Sequence, residues 1–351
     1  MDFSLQANSV VRPFSGAYRH PIVSRTLIIL TIVGTIPAMF SPSFPEYIVV
    51  MLLLIYLSYY YLQSVFSVGI FVALLYQWIQ VSIKVLWSIT TGDSLDELTQ
   101  YPDNISSALF LSAISLFVLS EGMRSKLKKV RFDITELNDV ISQYSTKRVL
   151  VLYLVFNVIM NLLFTLRFTI PGLFQAIAIL SYFKWSLFII MMILVIQKRE
   201  MTLTFIILVG FEFLSSLVSF FASFRGIILY LIIGSLTLNK VSKRQLFTYG
   251  SAAILIYMFA IIWTDIKMDY RAFVNKGTSS QAVLVPRSEA RSYLFNAINS
   301  YNFSNYKEVQ EELINRISYI DFFSATQSYV PEKLPYESGK ILKQSILIMI
   351  K

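Results

Sequence analysis

The sequence of 351 residues contains no cysteine, one histidine (His20) and few charged residues, which make up 15% of the chain. Without cysteine there is no disulfide bond, zinc–thiolate site or thiol nucleophile. A single histidine also excludes a cluster of histidine and cysteine ligands around a metal. A phosphate-binding loop, a dinucleotide fingerprint and a serine-nucleophile elbow are absent from the sequence as well. We therefore expect neither a metal nor a cofactor.

Hydrophobic residues, in contrast, make up 56% of the chain and form several runs of the roughly 20 residues that cross a bilayer. These runs predict an all-α, polytopic integral membrane helical bundle. The net charge of +9 would suit a nucleic acid, but the lysines and arginines cluster at the ends of the apolar runs. Anchoring of the spans in the membrane explains that placement, so nucleic acid is not expected as a partner.

About nine spans alternate in direction across the membrane. They are residues 22–40, 47–62, 65–89, 105–119, 149–166, 173–196, 201–220, 226–238 and 246–263. Every strongly basic connection then falls on one side, and the acidic connection around residues 91–104 falls on the other. The positive-inside rule places the basic side, and with it the N-terminus, in the cytoplasm. The first run lacks a cleavage pattern and is expected to be a retained signal anchor.

After the ninth span the chain stays on the outer side for about eighty residues, well beyond an ordinary connecting loop. Residues 306–329 of this loop predict one amphipathic helix, in which Glu312 is placed to meet Arg316. We expect the sequence to end within a further span. The predicted regions are a transmembrane bundle (1–263), a large, partly helical extracytoplasmic loop (264–343) and the start of another transmembrane segment (344–351).

Two charged residues, Lys184 and Glu212, lie inside apolar runs on either side of the basic connection at residues 197–200. Each is about twelve residues from that connection, so on antiparallel helices both would lie roughly 18–20 Å from it. This spacing predicts a structural ion pair, because each charge alone would be costly in the membrane. A proton or substrate path is the alternative interpretation.

Arg167 and Arg225 lie at the outer ends of predicted spans, without an acid at a matching depth. Snorkelling towards the interface is one explanation. A clamp on a phosphate group is the other, because a guanidinium binds phosphate oxygens through two points. Asp265 and Asp269, four residues apart and close to Arg271, are either solvated or paired, or they supply a general base. Glu289, Asp321, Glu332 and Glu337 are weaker candidates for that base.

Ser223-Phe224-Arg225-Gly226 opens a predicted helix, and the late outer loop ends with NRISYIDFFSATQSYVPEKLPYESGK. In these features and in its layout the chain resembles the O-antigen polymerase and ligase superfamily. The end of the loop is similar to that of Wzy-like oligosaccharide polymerases, in which an arginine-containing helix precedes a Pro-Tyr/Phe-x-x-Gly turn. Ligases of the superfamily typically carry a histidine in this loop. Its absence here favours a polymerase.

The resemblance implies metal-independent glycosyl transfer at the outer face of a bacterial cytoplasmic (inner) membrane, in the biosynthesis of a surface polysaccharide. The donor would be a polyprenyl-diphosphate-linked glycan, and membrane lipids and other polysaccharide-assembly membrane proteins would be further partners. Arg225 and Arg167 would stabilise the departing diphosphate, and Asp269 would accept the hydroxyl proton of the acceptor sugar. The residues assigned to substrate binding are Arg271, Arg316, Tyr319 and Tyr336. An O-antigen ligase and a non-enzymatic lipid-linked glycan flippase or transporter are the alternatives.

Overall fold

The computed structural model describes residues 21–62, 67–99, 101, 104–127, 140, 143–166, 174–217, 224–238, 243–278, 284–330, 332–333, 335, 337–340 and 343–344. These residues form helices and connections, and no β-strand occurs among them. The helices are α1 (Pro21–Ala38), α2 (Phe44–Tyr61), α3 (Val68–Thr91), α4 (Ile105–Leu127), α5 (Thr146–Leu166), α6 (Phe174–Ser181), α7 (Phe183–Lys198), α8 (Thr202–Leu217), α9 (Phe224–Leu238), α10 (Lys243–Val274), α11 (Arg287–Asn299), α12 (Tyr306–Ile317) and α13 (Ile320–Tyr329).

Six helical stretches in the described part of the chain are long and apolar enough to cross a membrane, and the protein is therefore a helical membrane protein. They are α2, α3, α4, most of α5, the stretch Ile179–Lys198 and the stretch Phe247–Val274. Apolar stretches of α1, α8 and α9 are shorter. Within the described residues each of the nine apolar runs contains a helix, but only six helical stretches reach the spanning length.

The run predicted as one span over residues 173–196 is divided into α6 and α7. The amide of Tyr182 donates to the carbonyl of Ile179, and the amide of Trp185 donates to the carbonyl of Tyr182. These bonds span three residues instead of four, which tightens the backbone at the junction. Lys184 is therefore the second residue of α7 and lies beside this junction.

The single helix predicted over residues 306–329 is also wrong, because the chain breaks between α12 and α13. Ser318 is extended, with φ −71° and ψ 125°. The amide of Tyr319 donates to the carbonyl of Gln80 in α3 at 3.3 Å. A bond to another helix thus takes the place of the intrahelical bond that would have continued α12.

Contacts between residues divide the chain into two compact units. The first unit consists of Met1–Val23, Tyr61–Val72 and Lys128–Ser304, and the second of Ser24–Tyr60, Ala73–Leu127 and Asn305–Lys351. The segment that the sequence assigns to the extracytoplasmic loop is shared between them. Helix α11 belongs to the first unit, whereas α12 and α13 belong to the second.

Helix α7 lies at the centre of the first unit. Its fully buried Phe188 packs near Tyr153 of α5 and Phe205 of α8. Helix α9 runs parallel to α7, because Gly226 faces Trp185 and Gly234 faces Met192. A Cβ atom at position 234 would lie 2.6 Å from the Met192 sulfur, so the glycine permits the close approach of the two helices. Parallel packing brings the first turns of α7 and α9 to the same end of the unit.

A second cluster of the first unit joins the last part of α10 to α11. Trp263, Ile266 and Tyr270 of α10 pack with Leu294 of α11 in this cluster. Ile228, from the first turns of α9, packs against it as well. The last part of α10 therefore lies at the end of the unit where α9 begins.

Candidate functional site

Glu212 of α8 is buried, and both of its carboxylate oxygens are hydrogen bonded. Oε2 accepts a bond from the ammonium of Lys184 in α7 at 2.7 Å. Oε1 accepts bonds from the hydroxyl of Tyr153 at 2.7 Å and from the side-chain amide of Asn157 at 3.3 Å. The side chains of Lys184 and Glu212 are 16% and 8% exposed. The structure thus brings together the two residues for which the sequence predicts an ion pair.

The two neutral donors to Glu212 come from one face of α5. Tyr153 and Asn157 are four residues apart, so their side chains point to the same side of the helix. The ammonium of Lys184 also lies 5.7 Å from the centre of the Tyr153 ring and 5.3 Å from the centre of the Trp185 ring. The sequence analysis missed Tyr153 and Asn157. Their spacing within an apolar run, continued by Asn161, is the signal that would have revealed them.

An aromatic pair connects the first turn of α7 to the second turn of α9. Trp185 stacks on Tyr230, with ring centres 4.7 Å apart and planes 16° apart, and both rings lie next to Gly226. Lys184 and Arg225 are each the second residue of their helix. The N-terminal end of a helix carries a partial positive charge. At α7 the amide of Trp185 is already bonded to the carbonyl of Tyr182, so this charge comes chiefly from the beginning of α9.

The side chains of the two predicted catalytic arginines lie outside the residues that the structure describes. Helix α9 begins at Phe224, so the backbone of Arg225 belongs to the first helical turn. The side chain of Arg225 lies outside the described part of the chain, as does the whole of Arg167. The phosphate clamp that the sequence predicts from these two guanidinium groups stays a prediction.

Asp269 is exposed on α10, and so is Asp265 one turn earlier. The neighbouring residues Ile266 and Tyr270 are buried in one cluster, and Ile228 of α9 packs against that cluster. The part of α10 that carries the two acids therefore contacts the beginning of α9. Burial raises the pKa of the Tyr301 hydroxyl, and the negative charge of Asp265 raises it further. Arg271, also on α10, is half-buried.

The other predicted substrate-binding residues belong to the second unit or lie outside the described residues. Arg316 pairs with Glu312 on α12, which is the pair that the sequence predicts, and its side chain is exposed. Tyr319 is also exposed, immediately before α13. Tyr336 lies outside the described residues. Arg225 and Asp269 belong to the first unit.

A second buried ion pair, which the sequence analysis did not predict, lies in the second unit. The ammonium of Lys84 in α3 lies 2.7 Å from each carboxylate oxygen of Asp321 in α13 and 2.7 Å from the carbonyl of Leu98. The hydroxyl of Thr99 donates to the same carboxylate at 2.5 Å. Both carboxylate oxygens of Asp321 therefore have partners, which makes this residue a poorer general base than an exposed carboxylate. A polar stripe on α3 is the signal in the sequence, and it consists of Gln77, Gln80, Lys84 and Ser88.

A protein-family model matches residues 126–351, more than half of the chain. The matched region includes the whole hydrogen-bonded cluster around Glu212 and the helices that carry Arg225 and Asp269. Comparison with curated proteins found no match, and comparison with solved structures found none either. The chain belongs to the family described as Domain of unknown function (DUF8712).

Proposed function

We propose that this protein is a membrane-embedded glycosyltransferase that polymerises lipid-linked oligosaccharide repeat units. Its donor would be a polyprenyl-diphosphate-linked glycan, and the reaction would take place at the outer face of a bacterial cytoplasmic membrane. One observation carries the proposal. The beginning of α9, which packs against the beginning of α7, also contacts the stretch of α10 that carries exposed carboxylates, at one end of a bundle of apolar helices.

The donor requires a cationic site close to the membrane. A diphosphate attached to a polyprenol stays near the bilayer surface, because its lipid part remains in the hydrocarbon region. Arg225 in the first turn of α9, together with the positive end of the helix dipole, would supply the charge that such a site needs. The charge on the diphosphate increases as the bond to the sugar breaks, so a cation at this point lowers the barrier.

The acceptor sugar lies in water, so the base that takes its hydroxyl proton must itself be exposed to water. In the reaction an acceptor hydroxyl oxygen attacks the anomeric carbon of the donor glycan. The bond from that carbon to the diphosphate oxygen breaks, and the polyprenyl diphosphate leaves with the electron pair. Asp269 takes the hydroxyl proton, which its exposure on α10 permits.

The junction of α6 and α7 favours a second candidate function, the transport of a lipid-linked glycan across the membrane. Transporters often bind their substrates at interrupted helices, whose first turns face anionic groups. Lys184 lies beside such an interruption, and its ion pair with Glu212 lies among apolar helices. A transporter would move the lipid-linked unit between leaflets without forming a new glycosidic bond.

The experiment that tests the proposal measures polymer release by the full chain in proteoliposomes that contain polyprenyl-diphosphate-linked oligosaccharide. Arg225→Lys keeps the charge but loses the two-point geometry of guanidinium. We expect this variant to insert normally and to polymerise roughly 10²–10³ times more slowly. Arg291→Lys, the same substitution at an exposed position of α11, serves as the matched control and should leave the rate unchanged.

Three results would contradict the proposal in different ways. Movement of lipid-linked glycan between leaflets without polymer would favour the transporter. Equal rates for wild type, Arg225→Lys and Arg225→Ala would show that the arginine only anchors the helix at the interface. Absence of both polymerisation and movement from well-folded protein would exclude both functions for this substrate class.

A further inference from the structure

Helix α13 has one buried face and one aromatic, exposed face. Ile320 and Ser324 are buried, at 2% and 0% exposure. On the other side Phe322 is 66% exposed, and Tyr319, directly before the helix, is 58% exposed. Tyr329 continues the exposed face at helical spacing. We call the exposed residues Tyr319, Phe322, Phe323, Thr326 and Tyr329 the aromatic stripe of α13.

Polar contacts fix the rotation of α13 on the rest of the second unit. Asp321 binds Lys84 on its buried side. The hydroxyl of Ser324 donates to the carbonyl of Tyr101 at 2.7 Å, and the amide of Asn104 donates to the hydroxyl of Ser328 at 3.0 Å. These bonds are distributed along the helix. The aromatic stripe therefore cannot turn inwards without breaking them.

The same contacts set the level of α13 relative to the apolar part of α3. Residues 68–83 of α3 carry no charged side chain, and these sixteen residues extend about 24 Å along the helix. Lys84 is the charged residue of α3 and lies seven residues before the helix ends at Thr91, so it is closer to that end of the span than to the other. Because Asp321 contacts Lys84 and Tyr319 contacts Gln80, α13 begins beside the part of α3 that approaches this end of the span.

The surface beside the aromatic stripe is also apolar. Helix α13 packs against α4, one of the helices that are long enough to cross a membrane. Leu111, Ile114 and Val118 of α4 are exposed, as expected for a side that contacts lipid. Helix α13 thus packs on a helix whose own exposed side chains require lipid around them.

We propose that α13 is an interfacial membrane helix, and that its aromatic stripe contacts phospholipid at the boundary between headgroups and acyl chains. Tyrosine concentrates at that boundary, because one end of its side chain is apolar and the other forms hydrogen bonds. Phenylalanine is common on the apolar face of helices that lie in the interface. The buried side of α13 anchors it to α3 and α4, and the aromatic side faces the bilayer. The proposal does not depend on glycosyl transfer.

The absence of native cysteine permits a direct test with single-cysteine variants of the full chain. Thr326→Cys places an environment-sensitive fluorophore in the stripe and keeps every aromatic residue. Glu311→Cys places the same fluorophore on an exposed position of α12 as the matched control. Both proteins are reconstituted in nanodiscs of phosphatidylcholine and phosphatidylglycerol, where water-soluble iodide reaches both membrane faces. Acyl chains brominated near the headgroup report contact with lipid.

At position 326 we expect a blue-shifted emission, at least twofold stronger quenching by brominated lipid than at position 311, and weaker quenching by iodide. Phe322→Cys is the second stripe variant, for use if Thr326→Cys does not elute as folded protein. Equal iodide quenching at the stripe and at position 311, with no effect of bromine, would overturn the proposal. That result would mean that the stripe faces water, as a platform for sugars would.

Discussion

The ammonium of Lys184 in α7 lies 2.7 Å from the carboxylate of Glu212 in α8, and two further donors from α5 complete the coordination of that carboxylate. The cluster joins three helices of the first unit through charged and polar groups. Burial of apolar side chains supplies little driving force for helices to associate within lipid, since lipid tails are equally apolar. Close packing and hydrogen bonds between helices decide the arrangement instead. The hydrogen bonds to Glu212 therefore help to specify how α5, α7 and α8 are arranged.

Glu212→Gln should destabilise the first unit, because it leaves the buried ammonium of Lys184 without its counter-charge. Loss of one partner from a buried pair costs about 3–5 kcal/mol. We expect a lower yield of folded protein in detergent and a lower melting temperature. Adding Lys184→Met should recover much of the loss. A double variant as unstable as Glu212→Gln alone would show that the two residues are not coupled.

Asp321→Asn should destabilise the second unit in the same way, because Lys84 is buried against this carboxylate. The cost expected for a buried pair is again about 3–5 kcal/mol. We expect faster proteolysis within residues 305–340 and a lower melting temperature. Glu312→Gln is the matched control, because it removes the exposed pair with Arg316 and should cost no more than about 1 kcal/mol. Similar losses for the two variants would mean that Lys84 is not an anchor for α13.

Local signals explain why much of the helical organisation is predictable. A run of about twenty apolar residues is stable in a bilayer only as a helix, so the run itself identifies the element. The pairing of Lys184 with Glu212 is predictable for a similar reason. A short turn joins their helices, and equal distances from that turn place the two charges at one depth.

The unpredicted features depend on contacts between distant parts of the chain. Lys84 and Asp321 are 237 residues apart, and no periodic pattern connects them. The break at Ser318 depends on a hydrogen bond from Tyr319 to Gln80 of another helix. The junction at Tyr182 has neither glycine nor proline, so the local sequence favours a continuous helix. At Ser318 and at the Lys84–Asp321 pair, contacts between helices thus decide what the local sequence leaves open.

The orientation in the membrane can be tested with single cysteines, since the chain has none of its own. The positive-inside rule places the basic segment after α4 in the cytoplasm and the segment after α11 outside. Ser125 and Ser300 are both exposed, so burial will not limit their labelling. We expect an impermeant thiol reagent to label Ser300→Cys in intact cells and Ser125→Cys only after permeabilisation. The reverse pattern would invert the predicted topology.

Asp269→Ala tests the proposed general base of glycosyl transfer. A positioned base contributes roughly 10²–10⁴-fold to the rate, and we expect a loss of that size in polymer formation by proteoliposomes. Glu311→Ala, which removes an exposed carboxylate from α12, is the control for loss of a surface charge. It should leave the rate unchanged.

Rescue by a small carboxylate distinguishes a base from a residue that only supports the fold. Removal of the Asp269 side chain leaves space for formate beside the exposed face of α10, so added formate should restore part of the activity of Asp269→Ala and none of that of Arg225→Ala. A structural role would give a low melting temperature and no rescue. If Asp269→Ala polymerises at the wild-type rate, the base must be another group. Asp265 is then the first to test, because it lies one turn away on the same helix and its charge already acts on the Tyr301 hydroxyl.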